Sequence, residues 1–480
     1  MRILPKYFIL LVLLVIFHQG LISQSLISVI NKTEKTVFTI EGYNKRMVSG
    51  GASGFFISAD GIAITKAGLF YNCDSAVVTT RNGKKYGIER IISVHPYANL
   101  ALIKVKQRRQ KEFPYLQTSR KTLIATHEVL IFSHPLETEK GISVDVIIKI
   151  GTFPFVERYG EIITKLGSLS YGAPVINKRG LLIGINVSDK SDVDNIIYSS
   201  CLLNDSLWVD VNLKIDNFNS GMNMDMHKYL NPYLSRGMLN LLSNRNVEAA
   251  KMFSKYMKHF PDSYNLYCLR ALARFRYNNN VGGREDIEYA ERLNRGGFLA
   301  HYFNGIQFIE SDKKRSAYEC MNSCLDLNPE FIPAKVEHAR LEWTLNNKIR
   351  EAFDEFNEVI EMDSLNGEAY YERARLSFQF SSNKELAFED LNRAIYLDPS
   401  QSGVFSLRGV MKLSKQDFLS AINDFTKAIE YDKNDVHAYF NRGIAHFNIG
   451  MKKSACKDWK VAGDLGNYSA FKYISRYCSK

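Results

Sequence analysis

Residues 408–443 read RGVMKLSKQDFLSAINDFTKAIEYDKNDVHAYFNRG, a stretch that begins and ends on the same Arg-Gly pair. Gly409 and Gly443 are 34 residues apart, with Ala421 and Phe425 at fixed places between them. The same grid extends in both directions. Small residues fall at Gly237, Ala271, Gly305, Ala339, Ala374, Gly409 and Gly443, with gaps of 34, 34, 34, 35, 35 and 34. A second series, Ala249, Gly283, Ala317, Ala352, Ala387, Ala421 and Ala455, trails the first by 12 or 13 residues. Phe253, Met321, Phe356, Leu391, Phe425 and Trp459 form a third, and Pro261, Pro329 and Pro399 close alternate units. Such a period means a repeat built from one supersecondary unit. Two helices per unit meet through Gly or Ala, because only small side chains let backbones approach so closely.

In period and residue type this array resembles the tetratricopeptide repeat. It covers 230–467 in seven units, and 468–480 reads as a capping helix with Phe471, Ile474 and Tyr477 at helical spacing. Arrays of this kind bury a continuous core between neighbours and leave one face free. The resemblance implies binding of peptides or protein segments on the face lined by the first helix of each unit. The positions it marks are Tyr302, Arg340, Trp343, Tyr371, Arg375, Phe378, Phe440 and Phe447. Aromatic and arginine side chains are the types that concentrate binding energy. Arg236, Arg270, His338, Arg373, Arg408 and Arg442 precede the small marker, while Asp286, Asp390, Asp424 and Asp458 recur on second helices. We expect these to pair within the array rather than to line a basic groove.

Residues 24–215 differ. Short apolar or alternating runs such as GFFIS, GIAIT, SAVVTT, LALIKV and EVLIF, separated by turn signals, predict an all-β domain. Three segments in order, GFFISADGIAITKAGLF (54–70), HPYANLALIK (95–104) and YGAPVINKRGLLIGIN (171–186), resemble the trypsin-like fold of exported HtrA/Deg serine proteases. VLIFSHPLE (129–137) matches a further strand of that family. The expected fold is thus multidomain: an all-β trypsin-like double barrel, then an all-α solenoid.

The resemblance also implies where a catalytic triad would stand. The His position holds Gly68, the Asp position Asn99 and the Ser position Tyr171. Without an imidazole nothing takes the nucleophile's proton. An Asn behind a histidine costs about 10⁴ in rate through the wrong tautomer, and loss of the nucleophile or base costs about 10⁶. A tyrosine ring also carries its hydroxyl too far out and fills the space of the attacked carbonyl. The expectation is a non-enzyme. The alternative is a cryptic or residual serine peptidase that recruits Ser168, Ser170, His95 or His134.

Arg2 and Lys6 precede the apolar run Tyr7–Phe17, followed by HQGLISQ, which reads as a signal peptide cut after Ser23. The expected divisions are a leader at 1–23, a pseudoprotease domain at 24–215, a linker at 216–229, repeats at 230–467 and a cap at 468–480. An exported, periplasmic or secreted protein follows, with no transmembrane segment after cleavage. The formal charge of +11 is spread as +8 over 1–220 and +3 over 221–480. It shows no clustered basic stripe, so nucleic acid is not expected; a protein or peptide partner is. Five basic residues in KVKQRRQK (104–111) read as a solvated loop, and GMNMDMH (221–227) as flexible linker rather than a copper site. Seven cysteines, odd in number and irregular in spacing, give no disulfide framework. Cys320 and Cys324 read as small buried residues, and no cofactor or metal is expected.

Overall fold

The computed structural model describes residues 26–478 apart from 108–111, 120–122, 126, 134–140, 164–165, 167, 189–194, 200–202, 204–206, 215–223 and 381–383. The expected leader, His134, Cys201 and the second half of KVKQRRQK (108–111) lie outside these residues. The chain divides into two compact units, 1–279 and 280–480.

The first unit holds two β-barrels. Strands β1 (Val37–Asn44), β2 (Met47–Phe56), β3 (Ile62–Lys66), β4 (Ser75–Thr80), β5 (Lys85–His95) and β6 (Leu100–Val105) run in the order β5-β4-β1-β2-β3-β6, closed by β5–β6 pairing. β13 (Val209–Lys214) adds to β5 outside the ring. The period-two pattern decides which side chains enter. Phe38 and Ile40 on β1, and Ala101, Ile103 and Val105 on β6, share one core with Phe56 and Phe70. Burying each large side chain is worth roughly 1.5–3 kcal/mol. The second barrel closes as β10-β11-β12-β9-β8-β7, from β7 (Glu128–Phe132), β8 (Ile142–Phe153), β9 (Glu157–Ile162), β10 (Pro174–Ile176), β11 (Leu182–Asn186) and β12 (Asn195–Ser199). Its core gathers Val129, Ile131, Ile147, Val175 and Ile197.

The expected linker is not a break between domains. Its second part is helix α1 (Met224–Leu230), and Leu230 is buried in the core of the first barrel. His227 meets the Tyr71 ring edge-on at 5.5 Å. The first repeat, α2 (Pro232–Leu242) and α3 (Asn246–Met257), with the following helix α4 (Tyr264–Arg276), belongs to this unit too. Tyr256 donates to the Lys228 carbonyl at 3.0 Å, and Asn265 donates to the Tyr97 hydroxyl at 3.0 Å. The physical reason is apolar area: Leu230 and its neighbours have a barrel core within reach, which a solvated linker would not use.

The second unit runs from α5 (Asn280–Leu293) through α6 (Phe298–Glu310), α7 (Lys314–Leu327), α8 (Ile332–Leu345), α9 (Ile349–Met362), α10 (Gly367–Phe380) and α11 (Lys384–Leu397). It continues through α12 (Ser402–Ser414), α13 (Phe418–Tyr431), α14 (Val436–Asn448) and α15 (Lys452–Asp464) to the cap α16 (Tyr468–Tyr477). The small-residue series has its cause here. A β-carbon on Gly409 would fall 2.7 Å from the Phe425 ring, and one on Gly443 2.5 Å from the Trp459 ring. The Arg–Asp series also pairs. Arg373, Arg408 and Arg442 each fork onto Asp390, Asp424 and Asp458 with both bonds between 2.7 and 3.0 Å. Each arginine also donates back to a residue 16 positions earlier: Asn357, Asn392 and Thr426. The fourth unit breaks this pattern, with His338 Nδ1 on Glu355 at 2.8 Å and Tyr318 stacked on the imidazole. A disulfide, Cys456–Cys478, ties α15 to the end of α16. Cys73, Cys268, Cys320 and Cys324 are thiols; Cys324 is buried as expected, whereas Cys320 is only half-buried.

Candidate functional site

Two places merit description, one in each unit. The first lies where the three expected triad positions stand. β3 ends at Lys66 and turns tightly through Ala67–Asn72, which brings the Gly68 backbone to the start of β6. Asn99, just ahead of β6, is buried and has φ +53°, a left-handed conformation that asparagine tolerates. Its Oδ1 accepts from Gly68 N–H at 2.5 Å, and its carbonyl accepts from Ala67 N–H at 2.9 Å. The asparagine therefore holds the turn at both of its first amides. A β-carbon at Gly68 would fall 2.9 Å from that Oδ1, so the two positions fit each other as they are.

Tyr171 sits on the opposite side, after the turn Ser168–Ser170 and before β10. Its side chain is 2% exposed, and its hydroxyl donates to the Ala98 carbonyl at 2.8 Å. The Lys66 ammonium lies over the ring, 4.7 Å from its centre. Neighbouring amides are engaged as well. Gly172 N–H donates to the Asn186 carbonyl at 2.8 Å and Ala173 N–H to the Ser170 carbonyl at 3.0 Å. Gly172 has φ +83°, and a β-carbon there would meet the Ser53 carbonyl at 2.6 Å, so the turn needs glycine. Gly68 and Asn99 are thus in direct contact, and the buried Tyr171 reaches the residue before Asn99 through its hydroxyl.

The alternative nucleophile and base are built into the same packing. Ser170 is 1% exposed, and His95, fully buried, accepts the Ala98 N–H at Nδ1 over 3.1 Å while facing Trp208 edge-on. Tyr97, in the same loop, stacks on Phe155, and burial pushes its phenol up to about 12.

The second place is the face of the other unit lined by first helices. Arg340 on α8 reaches Glu337 at 2.8 Å, Glu368 at 2.5 Å and Glu372 at 3.3 Å. Arg375 on α10 pairs with Glu372 at 2.7 Å and lies over the Trp343 and Tyr371 rings, 5.2 and 5.7 Å from their centres. Three carboxylates therefore meet two guanidiniums. Burial pushes the Glu337 carboxyl up to about 7 despite Arg340, with Glu368 and Glu372 adding to the rise. These carboxylates hold the Arg340 guanidinium well above its ordinary range against the effect of burial. The indole Nε1 of Trp343 is buried and has no hydrogen-bond acceptor.

Of the eight expected ligand positions, Arg340, Trp343, Tyr371 and Arg375 form this one cluster, and Phe378 packs beside it in the core around Leu391. The other three stand apart. Tyr302 packs edge-on against Phe331 and Phe440 edge-on against Tyr473, while Phe447 lies tilted against Trp459 and Tyr477. The glutamates were not among the expected positions, yet a signal for them exists. EHAR (337–340) and ERAR (372–375) recur 35 residues apart, each placing a glutamate one turn before its arginine.

Among the described residues no group of histidine, cysteine and carboxylate side chains could hold a metal ion. No helix among them is long and apolar enough to cross a membrane.

Residues 52–185 match the family model of the trypsin-like peptidase domain, and residues 287–470 match that of the ETO1 C-terminal domain. Among solved structures, the crystal structure of MamA is similar at 20% identity, with a TM-score of 0.29, covering 35% of this chain and 96% of that one. No curated protein matches the sequence. The chain joins a double-barrel domain that matches the trypsin-like peptidase model to an array of paired helical repeats.

Proposed function

We propose that this is an exported, non-catalytic interaction protein whose repeat array binds a protein or peptide partner and whose barrel domain is a pseudoprotease that serves as scaffold. The observation that carries the reading is Tyr171. A buried ring bonded to the Ala98 carbonyl occupies the place where a serine protease needs a nucleophile and room for an attacked carbonyl. Gly68 and Asn99 supply neither a base nor a carboxylate to orient one. The amides beside the ring already donate to protein carbonyls, whereas an oxyanion needs donors aimed at it.

Binding falls to the array because its α8–α10 face carries exposed and half-buried aromatic and charged side chains. The carboxylate surplus there favours a partner that presents a cation beside an apolar group. Export, to the periplasm or beyond, rests on the leader sequence, and a disulfide between Cys456 and Cys478 fits an oxidising compartment.

The test places a photo-crosslinking amino acid at Trp343, and separately at Leu69 near the barrel turn, in cells that make the protein. The reading expects an adduct from position 343 that is lost in Arg375→Ala. Adducts from position 69 alone would move the binding site to the barrel.

A further inference from the structure

The surplus of positive charge is not scattered through the second half of the chain. Residues 281–450 carry 28 Asp and Glu against 20 Lys and Arg, whereas residues 451–480 carry seven Lys and Arg against two Asp. The second unit is therefore acidic over 281–450 and strongly basic at its end, while residues 228–280 of the first unit carry nine Lys and Arg against two Asp and Glu. One of the two aspartates, Asp458, is buried under Arg442 and His446, which leaves Asp464 as the acid on that surface.

The helical geometry collects these cations. On α15, Lys453, Lys457 and Lys460 recur at spacings of four and three, which places them on one exposed face. On α16 the buried side is Ala470, with Tyr473 and Ile474 half-buried beside it, and the opposite arc carries Tyr468, Phe471, Lys472 and Arg476. Tyr468 is 84% exposed and Phe471 50% exposed, an unusual degree for aromatic rings on a terminal helix. The two faces adjoin. A β-carbon on Gly463 of α15 would lie 3.1 Å from the Phe471 ring, and the Cys456–Cys478 bond holds the helices together at their other ends. Among the described residues, Lys452, Lys453, Lys457, Lys460 and Lys472 form no ion pair.

We propose that this cap is a docking surface for an anionic lipid membrane. Each element has a use there. Lysines near a negatively charged bilayer are held by its surface potential. Aromatic rings on an amphipathic helix settle at the headgroup boundary, where their apolar body and polar edge are both satisfied. Residues 281–450, acidic in sum, are repelled by the same surface, so that part of the array would stand away from the bilayer with its first-helix face open. A polyanionic protein would satisfy the lysines but gives no reason for Tyr468 and Phe471 to stay exposed. The inference does not depend on what the first-helix face binds.

The test is co-sedimentation of the chain from Gln24 onward, so that the apolar leader cannot anchor it, with vesicles. One set is phosphatidylcholine alone and the other contains about one third phosphatidylglycerol. The protein is expected to bind only the anionic vesicles, and to be released by raising salt toward 0.5 M. Lys453→Glu with Lys457→Glu and Lys460→Glu should lower the partition at least tenfold. Tyr468→Ser with Phe471→Ser should lower it several-fold while keeping the salt dependence. All five side chains are exposed, so circular dichroism should show the wild-type helical melt in both variants. Absence of binding to anionic vesicles overturns the proposal, as does binding that the lysine reversal leaves unchanged. Capture of an acidic protein by the same lysines, with no vesicle binding, would also overturn it and make the cap a protein site.

Discussion

The turn around Tyr171 and the α8–α10 face of the array are both clusters of polar and aromatic side chains drawn from distant stretches of sequence. They end in opposite conditions. Around Tyr171 the hydroxyl, the Asn99 amide and the amides of Gly68, Gly172 and Ala173 each meet a partner inside the domain. On the array face two guanidiniums answer three carboxylates, one of which is held near neutrality by burial. A cluster that satisfies itself is a structural joint. A cluster with one carboxylate more than it has guanidiniums can accept a cation from elsewhere, which would draw the raised carboxyl into its charged form.

The largest effect should come from the joint. Tyr171→Ser removes a buried ring and leaves the Ala98 carbonyl without its donor, at a cost of about 4 kcal/mol. Urea denaturation followed by near-ultraviolet circular dichroism measures it. A loss below 1 kcal/mol would mean that the ring does not fill the cleft. Gly68→His would in addition need Asn99 to swing away, so restoring the three protease side chains together should recover little hydrolysis.

The array ladder gives the next effect. Arg373→Ala strands Asp390, a buried carboxylate that burial already raises and only Arg373 offsets, and should cost about 3 kcal/mol. Replacing both, Arg373→Ala with Asp390→Ala, should cost less than the single change, as a double-mutant cycle on thermal melts would read. Arg340 shares this structural character, since three glutamates lean on it. Its replacement should lower the melting temperature as well as affect a partner, which makes Arg375, at 36% exposure, the cleaner probe of binding.

The smallest effect is a pH dependence. The Glu337 carboxyl lies up to about 7 in the folded chain, above its unfolded value near 4.5. A raised value favours the folded state below pH 4.5 and loses that contribution as pH climbs through 7. Glu337→Gln does not titrate, so its stability relative to wild type should rise by about 2 kcal/mol between pH 5 and pH 8. A gap that stays constant with pH would show Glu337 fully ionised beside Arg340, and the face would then be shorter still of positive charge.

The repeat period was legible in the sequence because it is a steric requirement repeated seven times. Wherever a ring such as Phe425 or Trp459 crosses to the partner helix, only glycine or alanine fits. The Arg–Asp ladder was legible for the same reason, since one geometry recurs at one spacing. The barrels were legible through alternation, and the positions where a triad is expected through the order of their flanking motifs. The start of the array was less so. Leu230 reads as the first residue of the array until the core of the first barrel is in view, and nothing local in GMNMDMHKYL says which core it will join. The disulfide was hidden because Cys456 and Cys478 become neighbours only when α16 folds back on α15. Spacing in an odd set of seven cysteines carries no such information. The first-helix positions were found, but their electrical character was not. It depends on Glu337, Glu368 and Glu372 from two units converging on one arginine, and repeat position alone does not reveal that.

The central claim is that the barrel domain performs no acyl transfer. The direct measurement incubates the purified chain with a fluorescent fluorophosphonate, which labels only an activated serine, and with unfolded casein in parallel. The account predicts no label above that of heat-denatured protein and no casein fragments over a day. Stoichiometric label that disappears in Ser170→Ala, together with casein cleavage lost in the same variant, would contradict it and return the domain to the serine peptidases.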